Sequence, residues 1–407
     1  MTTNTAKVIA LANNDVVQLF WTYPEAIKGC LGFAVFRRED GTTGAWDPLP
    51  AWVGFKGQSN KAWQSQPTTV WPIQKFGWKD LTATRGKTYH YRIVPVGGKP
   101  AVGKPLTPIG TPCETQIPVT LTPVRGAFLS YFNRGILSTQ FLVHQVPAGP
   151  NGAPNYKTLI NRIDQPGDPL RAALAGQILD GLKYLLNLAA NKGGSLYAAL
   201  YELTDPELLQ ALLQSKNLHL ILSNTGTDDS ENKPARQALH ETAGIEILDR
   251  FVPSGHIGHN KFCVYVDPQG RAQQVLLGST NWTDTGVCAQ SNNALIAQNP
   301  EIATAYMAYW ERLKTDTVKA GAKQATPLRS ADAKPGASGV PVDEGKATVW
   351  FSPNTPKQRS SKPPKNEPTP VDLQDVFGLM DAAKKAILFL EFQPGSPSVV
   401  DRGRFPA

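Results

Sequence analysis

The sequence predicts a multidomain protein with an N-terminal all-β sandwich, a following α/β lobe and a partial second α/β lobe. Three observations lead to this fold class. Aromatic and β-branched runs fill the first hundred residues, strand and helix patterns alternate between residues 118 and 315, and the same alternation restarts at residue 347. With 407 residues, the chain is long enough for several domains that each bury a core.

The first predicted domain is the sandwich, which we place at residues 1–115. Residues 16–21 and 32–36 are β-branched and aromatic runs bounded by turn formers such as Pro24 and Gly41. Six of the nine tryptophans precede residue 80. Large aromatic side chains on the inner faces of strands fill the core of a small sandwich, so this composition favours that architecture.

Residues 81–93 add a more specific pattern to the sandwich. Leu81, a turn at Gly86 and the alternating Tyr89 and Tyr91 resemble the approach to the sixth strand of fibronectin type III domains. This resemblance implies that a tyrosine hydroxyl bonds back to the backbone of the corner. It covers about residues 5–100, and it implies a role in spacing or binding rather than in catalysis.

The second predicted domain is the α/β lobe at residues 118–315. Residues 170–188 space leucine and isoleucine along one helix face, and Thr204 with Glu207 is the signature of another helix start. Strand patterns lie between such helices, at residues 126–132, 195–203, 218–222 and 245–248. Alternation of this kind is typical of a layered domain with buried strands.

The chain beyond residue 315 changes character twice. Residues 316–346 are rich in Lys, Ala, Gly, Pro, Ser and Asp without periodicity, which predicts a flexible linker. Strand patterns at 347–353 and 386–392 then enclose a helical pattern at 371–384. Because this order repeats that of the first lobe, we interpret residues 347–407 as an incomplete second lobe.

Composition limits the compartment and the cofactors. No stretch approaches the roughly 20 apolar residues of a membrane span, and residues 1–10 lack the pattern of a signal peptide. The four cysteines match no zinc spacing, so we expect free thiols, no metal and no cofactor. A net charge of +8 is mild for this length. We expect a cytoplasmic protein, with export by a non-classical route as the alternative.

The residues that carry chemistry lie between 258 and 281. On a strand His259 and Lys261 point to the same face, because side chains alternate with period two. A second strand ends at a turn that presents Ser279 and Asn281. Imidazole, ammonium, hydroxyl and carboxamide groups that converge on one spot suit a phosphate diester. Lysine and asparagine donate to its oxygens, and histidine can act as a nucleophile.

This pattern resembles the signature of the phospholipase D superfamily, in which His-x-Lys and an aspartate are followed by Gly-Ser-x-Asn. The resemblance implies that His259 attacks phosphorus and forms a phosphohistidine. It implies that Lys261 and Asn281 hold phosphate oxygens, that Ser279 supports them, and that Asp267 orients the site. Members of this family need no metal.

Two features depart from the family pattern. Five residues separate Lys261 from Asp267, where relatives usually have four. Asn292 stands where many relatives carry a glutamate that accepts a hydrogen bond from the nucleophilic histidine. The amide oxygen of Asn292 either fixes the histidine tautomer or belongs to a plain turn. His256, three residues before His259, either helps to bind the substrate or is merely solvated.

The family chemistry uses two histidines, one as nucleophile and one as acid for the leaving oxygen. Of the six histidines in this chain, only His259 is followed by lysine at the second position. The second half-site is therefore expected from a missing C-terminal segment or from a second chain.

The expected function is phosphodiester hydrolysis or transfer, with lipid degradation as the leading interpretation. A phospholipid is favoured as substrate, and a nucleic acid is the alternative. The opposing hypotheses are a catalytically incomplete fragment that binds phosphates or polymers and a nuclease that is active only as a dimer.

Overall fold

The computed structural model divides the chain into two compact units. The first unit comprises residues 1–181 with 285–294, and the second comprises 182–284 with 295–407. The residues that the structure describes are 5–58, 60, 63–135, 142, 144–146, 148–149, 152, 155–224, 226–252, 257–316, 326–355 and 368–389.

The first unit is rich in short β-sheets. One antiparallel sheet has the order β1 (Lys7–Ala12), β2 (Val17–Thr22), β7 (Gly77–Asp80). In another, β3 (Cys30–Glu39) pairs with β8 (Thr88–Gly97), and β4 (Asp47–Pro48), β9 (Thr107–Pro108), β10 (Cys113–Glu114) and β11 (Val119–Thr120) flank this pair. Two small hairpins join β5 (Pro50–Ala51) to β6 (Gln66–Pro67) and β12 (Val124–Arg125) to β13 (Phe128–Phe132).

The two larger sheets of the first unit bury a common aromatic core. Trp21 of β2 meets Phe33 of β3 edge to face at 5.5 Å, and Tyr91 of β8 is fully buried beside them. The hydroxyl of Tyr89 accepts a hydrogen bond from the backbone N–H of Thr84 at 3.2 Å. An N-terminal sheet-rich region is thus confirmed, while its assignment as a fibronectin type III-like sandwich stays a prediction.

The helices of the first unit correct one sequence prediction. The pattern at 170–188 is not one helix, because Gly176 ends α2 with a positive φ of 57°. A Cβ at this glycine would lie 2.7 Å from the carboxylate of Asp15, so the chain turns where no side chain fits. The helices here are α1 (Tyr156–Ile163), α2 (Pro169–Ala175) and, mostly in this unit, α6 (Asp284–Cys288).

A mixed sheet forms the centre of the second unit, as the α/β pattern predicted. Its order is β19 (Asn293–Ala297), β18 (Ala272–Gly278), β17 (Lys261–Val266), β14 (Ser195–Leu200), β15 (Leu218–Ser223), β16 (Ile245–Arg250). β14, β15 and β16 are parallel to one another, whereas β17 runs antiparallel to both β14 and β18.

Helices cover this sheet. The N-cap of α4 is Asp205 rather than Thr204, and its carboxylate accepts the N–H of Leu208 at 3.0 Å. Trp310 of α7 is buried and donates to the carbonyl of Ala198 in β14 at 2.9 Å, which ties this helix to the sheet. The helices are α3 (Ile178–Lys192, mostly in this unit), α4 (Pro206–Leu213), α5 (Gly226–His240), α7 (Pro300–Thr315), α8 (Thr326–Asp332) and α9 (Val371–Ala382). No helix among the described residues combines the length and apolarity that a bilayer crossing requires.

The linker prediction for residues 316–346 is wrong over most of its described part. Residues 326–349 form α8 and the hairpin of β20 (Ala337–Val342) with β21 (Gly345–Val349). Leu328 and Asp332 of α8 are buried, and Asp332 pairs with Arg312 of α7 at 2.9 Å. Composition missed this order because the segment is stabilised by packing on α7 rather than by its own periodicity. Residues 317–325 lie outside the described residues.

The three elements predicted for the second lobe agree with the structure to different extents. Of the strand pattern at 347–353, only the part up to Val349 belongs to a strand, β21. This strand pairs with β20 in the hairpin. α9 matches the helical pattern and has no buried residue. Residues 386–389 are not a strand, and 390–392 lie outside the described residues. The incomplete second lobe stays a prediction.

Candidate active site

Three strand ends lie side by side in the second unit's sheet, and the border that they form is called an edge. Because β17 is antiparallel to its neighbours, the start of β17 lies beside the ends of β14 and β18. Lys261 pairs in register with Leu200, and Phe262 pairs with Leu277. This edge, which we call the site edge, therefore gathers the residues that follow β14, precede β17 and follow β18.

His259 lies two residues before β17, and its side chain is exposed. Its ring meets that of Tyr201 edge to face, with centroids 4.7 Å apart and planes at 65°. The backbone carbonyl of His259 accepts a hydrogen bond from Lys261 Nζ at 3.4 Å. The imidazole is thus supported on one side by an aromatic ring and remains accessible to a substrate.

Lys261 opens β17 and is less exposed than His259. Its ammonium lies 5.2 Å from the centroid of the Tyr201 ring, a cation–π contact. Burial lowers the pKa of Lys261 to about 8, and the carboxylate of Glu202 acts against this by favouring the charged form. At neutral pH the group still carries its proton and can serve an anion.

Asn281 lies beyond the end of β18 and is half-buried. Its Nδ2 donates to Glu202 Oε2 at 2.5 Å, while its Oδ1 is buried and has no hydrogen-bond partner. An unsatisfied polar atom is costly in a folded protein and is more common at functional sites. Ser279, on the same turn, is exposed.

Trp282 holds this turn against the end of β14. Its backbone N–H donates to the carbonyl of Glu202 at 3.2 Å, and its carbonyl accepts the N–H groups of Thr204 and Asp205, each at 3.0 Å. The indole of Trp282 is 2% exposed. The segment from 202 to 205 and the turn after β18 are therefore fixed to each other by backbone hydrogen bonds.

Glu202 is a site residue that sequence reasoning missed. It follows a strand in a segment without a motif, and its neighbours Lys261 and Asn281 are far away in sequence. The signal that would have found it is the pairing of β14 with β17, which places the end of one strand against the start of the other.

Asn260 was also missed, although it lies between the two motif residues. Its Oδ1 accepts from Arg250 Nη1 at 3.0 Å, and its Nδ2 donates to the hydroxyl of Tyr309 at 3.1 Å. Arg250 in turn pairs with the buried Asp316. The opposite face of the His-x-Lys segment is thus anchored in a polar network between β16 and α7.

The structure corrects the role expected for Asp267. This residue follows β17 at its far end, about 20 Å from Lys261 for a six-residue strand. Its carboxylate accepts the backbone N–H groups of Gln269 and Arg271, at 3.0 and 2.9 Å, and side-chain bonds from Arg271 and Gln273. Asp267 therefore stabilises the β17–β18 turn and does not orient the site.

Asn292 and His256 complete the predicted set. The Nδ2 of Asn292 donates to the carbonyl of Gly286 at 2.8 Å and to Gln290 Oε1 at 3.0 Å, and its backbone N–H donates to Asn133 Oδ1. These contacts hold the segment after α6 within the first unit. A role for Asn292 beside His259 stays a prediction, and His256 lies outside the described residues.

Comparison with known proteins bears on the same segment. Residues 185–314 match the family model described as the phospholipase D-like domain of cardiolipin synthase. This segment is similar to phospholipase D-like domains. The match covers β14 to β19 and includes the whole site edge, so it supports the superfamily that the His-x-Lys and Gly-Ser-x-Asn pattern indicated. No curated protein sequence matches the chain at a significant level.

Solved structures similar to part of this chain include two proteins that are covered over most of their own length. NucT from Helicobacter pylori is 15% identical, and the similarity covers 35% of this chain and 91% of NucT with a TM-score of 0.29. The phospholipase D family member Nuc from Salmonella typhimurium is 19% identical, with coverages of 33% and 87% and a TM-score of 0.28. A polyphosphate kinase from Porphyromonas gingivalis is 18% identical, with coverages of 35% and 26% and a TM-score of 0.27.

Proposed function

We propose that this protein is a phosphodiesterase of the phospholipase D type that hydrolyses or transfers a phosphodiester through a phosphohistidine at His259. One observation carries this proposal. His259 and Lys261 at the start of β17 and Asn281 after the end of β18 converge around Tyr201 and Glu202, which follow β14.

The chemistry follows from the groups present. A ring nitrogen of His259 attacks phosphorus, so that a P–N bond forms and the bond to the leaving oxygen breaks. Lys261 and Asn281 donate to the non-bridging oxygens, where negative charge increases in the transition state. Water or an alcohol then attacks the phosphohistidine, which gives hydrolysis or transfer. The scheme uses no metal, so turnover should persist in EDTA.

A phospholipid is the substrate we favour. The description of the matched family model names cardiolipin synthase, and cardiolipin is a phospholipid. A nucleic acid offers the same diester, and the choice is decided by comparing turnover of phosphatidylglycerol micelles with that of single-stranded DNA. The second candidate function is phosphate binding without turnover, which is favoured by the single His-x-Lys segment.

The test of the proposed function is the variant His259→Ala. Removal of the nucleophile should lower turnover of bis-p-nitrophenyl phosphate by at least about 10³-fold. The melting temperature should hardly change, because the side chain is exposed. Mass spectrometry after a base quench should find an acid-labile phosphate on His259 in the unaltered protein.

The matched control is His240→Ala, which removes a half-exposed imidazole on α5. It should retain full turnover. Equal turnover by His259→Ala and the unaltered protein would exclude His259 as the nucleophile, and binding without any turnover would favour the second candidate function.

A further inference from the structure

The first unit exposes apolar side chains on the outer face of its three-stranded sheet. Side chains of β1 alternate between the two faces, so Ile9 and Leu11 point outward while the residues between them pack on the core. Phe20 of β2 lies directly opposite Ile9. Ile9 and Leu11 are each 58% exposed, and Phe20 is 50% exposed. Single exposed apolar side chains are common, but neighbours on one face mark a contact surface, and we call these three residues the apolar patch.

The rest of this face does not shield the apolar patch. Gly77 of β7 pairs with Phe20, so bare backbone borders the ring on this side. The neighbouring Gln18 turns its amide to the sheet, where Nδ-type donation is replaced by bonds from its Nε2 to the carbonyls of Leu19 at 2.9 Å and Trp78 at 3.0 Å. These donors are already satisfied, so covering Gln18 with a partner costs little.

Two lysines border the apolar patch on the same face. Lys7 begins β1, and Lys79 of β7 lies opposite Gln18. Both are exposed, and neither has an ion-pair partner among the described residues. The single carboxylate of the three strands, Asp80, belongs to the inner face, where it is buried and paired with an arginine at 2.9 Å. The outer face is therefore apolar at its centre and positive at its border.

This combination discriminates among kinds of partner. A second copy of the chain would bring the lysines of two identical faces together, and like charges oppose such a contact. A nucleic acid would match the charge, but branched aliphatic side chains offer no planar surface on which a base can stack. An anionic bilayer matches both parts, because its acyl chains accept apolar side chains and its phosphates attract ammonium groups.

We propose that the outer face of the β1–β2–β7 sheet binds the surface of an anionic phospholipid bilayer. The apolar patch enters the boundary between head groups and acyl chains, and Lys7 and Lys79 extend toward the phosphates. This contact gives the first unit a role of its own. It goes beyond the proposed chemistry at His259 and does not depend on whether the diester substrate is a lipid or a nucleic acid.

The experiment measures cosedimentation of the full chain with vesicles. Vesicles of phosphatidylglycerol and phosphatidylcholine in equal parts should bind the unaltered protein at least about tenfold more tightly than vesicles of phosphatidylcholine alone. This preference should vanish at about 1 M salt, where the Debye length is about 3 Å. Joint replacement by Lys7→Gln and Lys79→Gln should reduce the preference by about tenfold.

The apolar part of the contact is tested separately. Joint replacement by Leu11→Gln and Phe20→Gln should weaken binding to the anionic vesicles at least about tenfold, because the burial of two apolar side chains is lost. Phe20→Trp keeps an aromatic side chain suited to the bilayer interface and should retain binding. Each variant changes exposed side chains only, so the melting temperature and the turnover of bis-p-nitrophenyl phosphate should equal those of the unaltered protein.

The matched controls are exposed residues of the same unit outside the three strands. Ile117→Gln removes an apolar side chain that is 79% exposed, and joint replacement by Lys99→Gln and Lys104→Gln removes two exposed lysines. Both controls should bind vesicles as the unaltered protein does.

Three results would overturn the assignment: no binding of the unaltered chain to anionic vesicles, equal binding to both kinds of vesicle, or undiminished binding after Leu11→Gln and Phe20→Gln. A dimer in light scattering that these two replacements abolish would identify a second copy as the occupant and would also overturn it. Retained turnover by His259→Ala would contradict the proposed function and leave vesicle binding intact, so the two failures are distinguishable.

Discussion

At Lys261, burial and a neighbouring carboxylate act in opposite directions on one ammonium group. Burial is the larger influence and lowers the pKa to about 8 from an ordinary value of 10.5. The folded protein thus binds this proton less tightly than the unfolded chain does. The contribution of Lys261 to the free energy of unfolding therefore rises as the pH rises from about 8 to 10.5. Anion binding through the ammonium has the opposite dependence.

The first prediction concerns this anion binding. Dimethyl phosphate keeps a constant charge across neutral and alkaline pH, and its affinity should fall as the pH rises above about 8. Lys261→Arg should remove this fall, because a guanidinium stays charged to far higher pH. NMR titrations at pH 7 and pH 9 measure both affinities. The charged group that acts on the ammonium is the carboxylate of Glu202.

Lys216→Arg serves as the control, since Lys216 is an exposed residue before β15. It should behave as the unaltered protein does. An affinity that stays constant between pH 7 and pH 9 would show that Lys261 does not bind the anion through its charged form.

The sequence predicted some residues of this site and missed others, and the structure gives the reason for each. His259 and Lys261 were found because the spacing of residues within a motif is local information, although only Lys261 lies on the strand. Glu202 and Asn260 were missed because their partners depend on pairing between distant strands. Asp267 was misassigned since a motif gives the order of residues but not the end of the strand at which each one lies.

At the scale of single elements, the β17–β18 hairpin depends on the carboxylate of Asp267. Burial works to raise the pKa of Asp267, but hydrogen bonds from Arg271 and Gln269 outweigh it and hold the pKa below its usual value. A depressed pKa means that the stabilisation is present above the pKa of the unfolded chain. It is lost as the pH falls through the lower, folded value.

The second prediction follows from this linkage. Asp267→Ala should lower the melting temperature by several degrees at pH 7, because two backbone N–H groups of the turn lose their acceptor. The difference from the unaltered protein should shrink as the pH falls below the ordinary value of 3.8 and through the lower, folded pKa of Asp267. Affinity for dimethyl phosphate should not change. Calorimetry and NMR supply the two readouts.

Asp47→Ala, in the exposed strand β4, is the comparison for a general effect of charge removal. Its melting temperature should match that of the unaltered protein. A loss of phosphate affinity in Asp267→Ala would restore the site role that the structure denies to this residue.

Element predictions failed where packing decides the outcome. The run at 170–188 has the spacing of one helix, but Gly176 interrupts it. A Cβ at this position would lie 2.7 Å from the Asp15 carboxylate, and no periodicity reveals this. Residues 326–349 have the composition of a linker, yet some of their few apolar side chains lie in the core. Leu328 and Val349 are buried, at 3% and 9% exposure.

At the scale of the whole molecule, the chain after α7 returns to pack against that helix. Phe351 stacks on Tyr309 with ring centroids 4.2 Å apart, and the Tyr309 hydroxyl donates to the carbonyl of Ser352 at 2.8 Å. Tyr309 also accepts the hydrogen bond from Asn260. Residues 326–355 are therefore linked through one tyrosine to the segment that carries His259 and Lys261.

The third prediction concerns limited digestion with trypsin. Cleavage at Lys319 or Lys323 should not release the segment 326–355, because its contacts with α7 persist after the backbone is cut. The fragments should coelute in size-exclusion chromatography under native conditions. Phe351→Ala, which removes a buried aromatic side chain worth about 3–5 kcal/mol, should free the segment and lower diesterase turnover.

Phe389→Ala is the matched control, since Phe389 is 52% exposed. It should leave both coelution and turnover unaltered. Release of the segment from the cut but otherwise unaltered protein would show that the packing on α7 is too weak to support the site.

The antiparallel strand β17, inserted between β14 and β18, has a consequence for the order in which the protein folds. β14 and β15 pair across 22 positions, from Leu196 to Leu218, whereas Leu200 and Lys261 pair across 61. Closing the longer loop costs more chain entropy, so the parallel strands are expected to associate before β17 joins them. An anion should then bind only after this last insertion. The time at which the refolding protein begins to bind an anion would therefore show when β17 has joined the sheet.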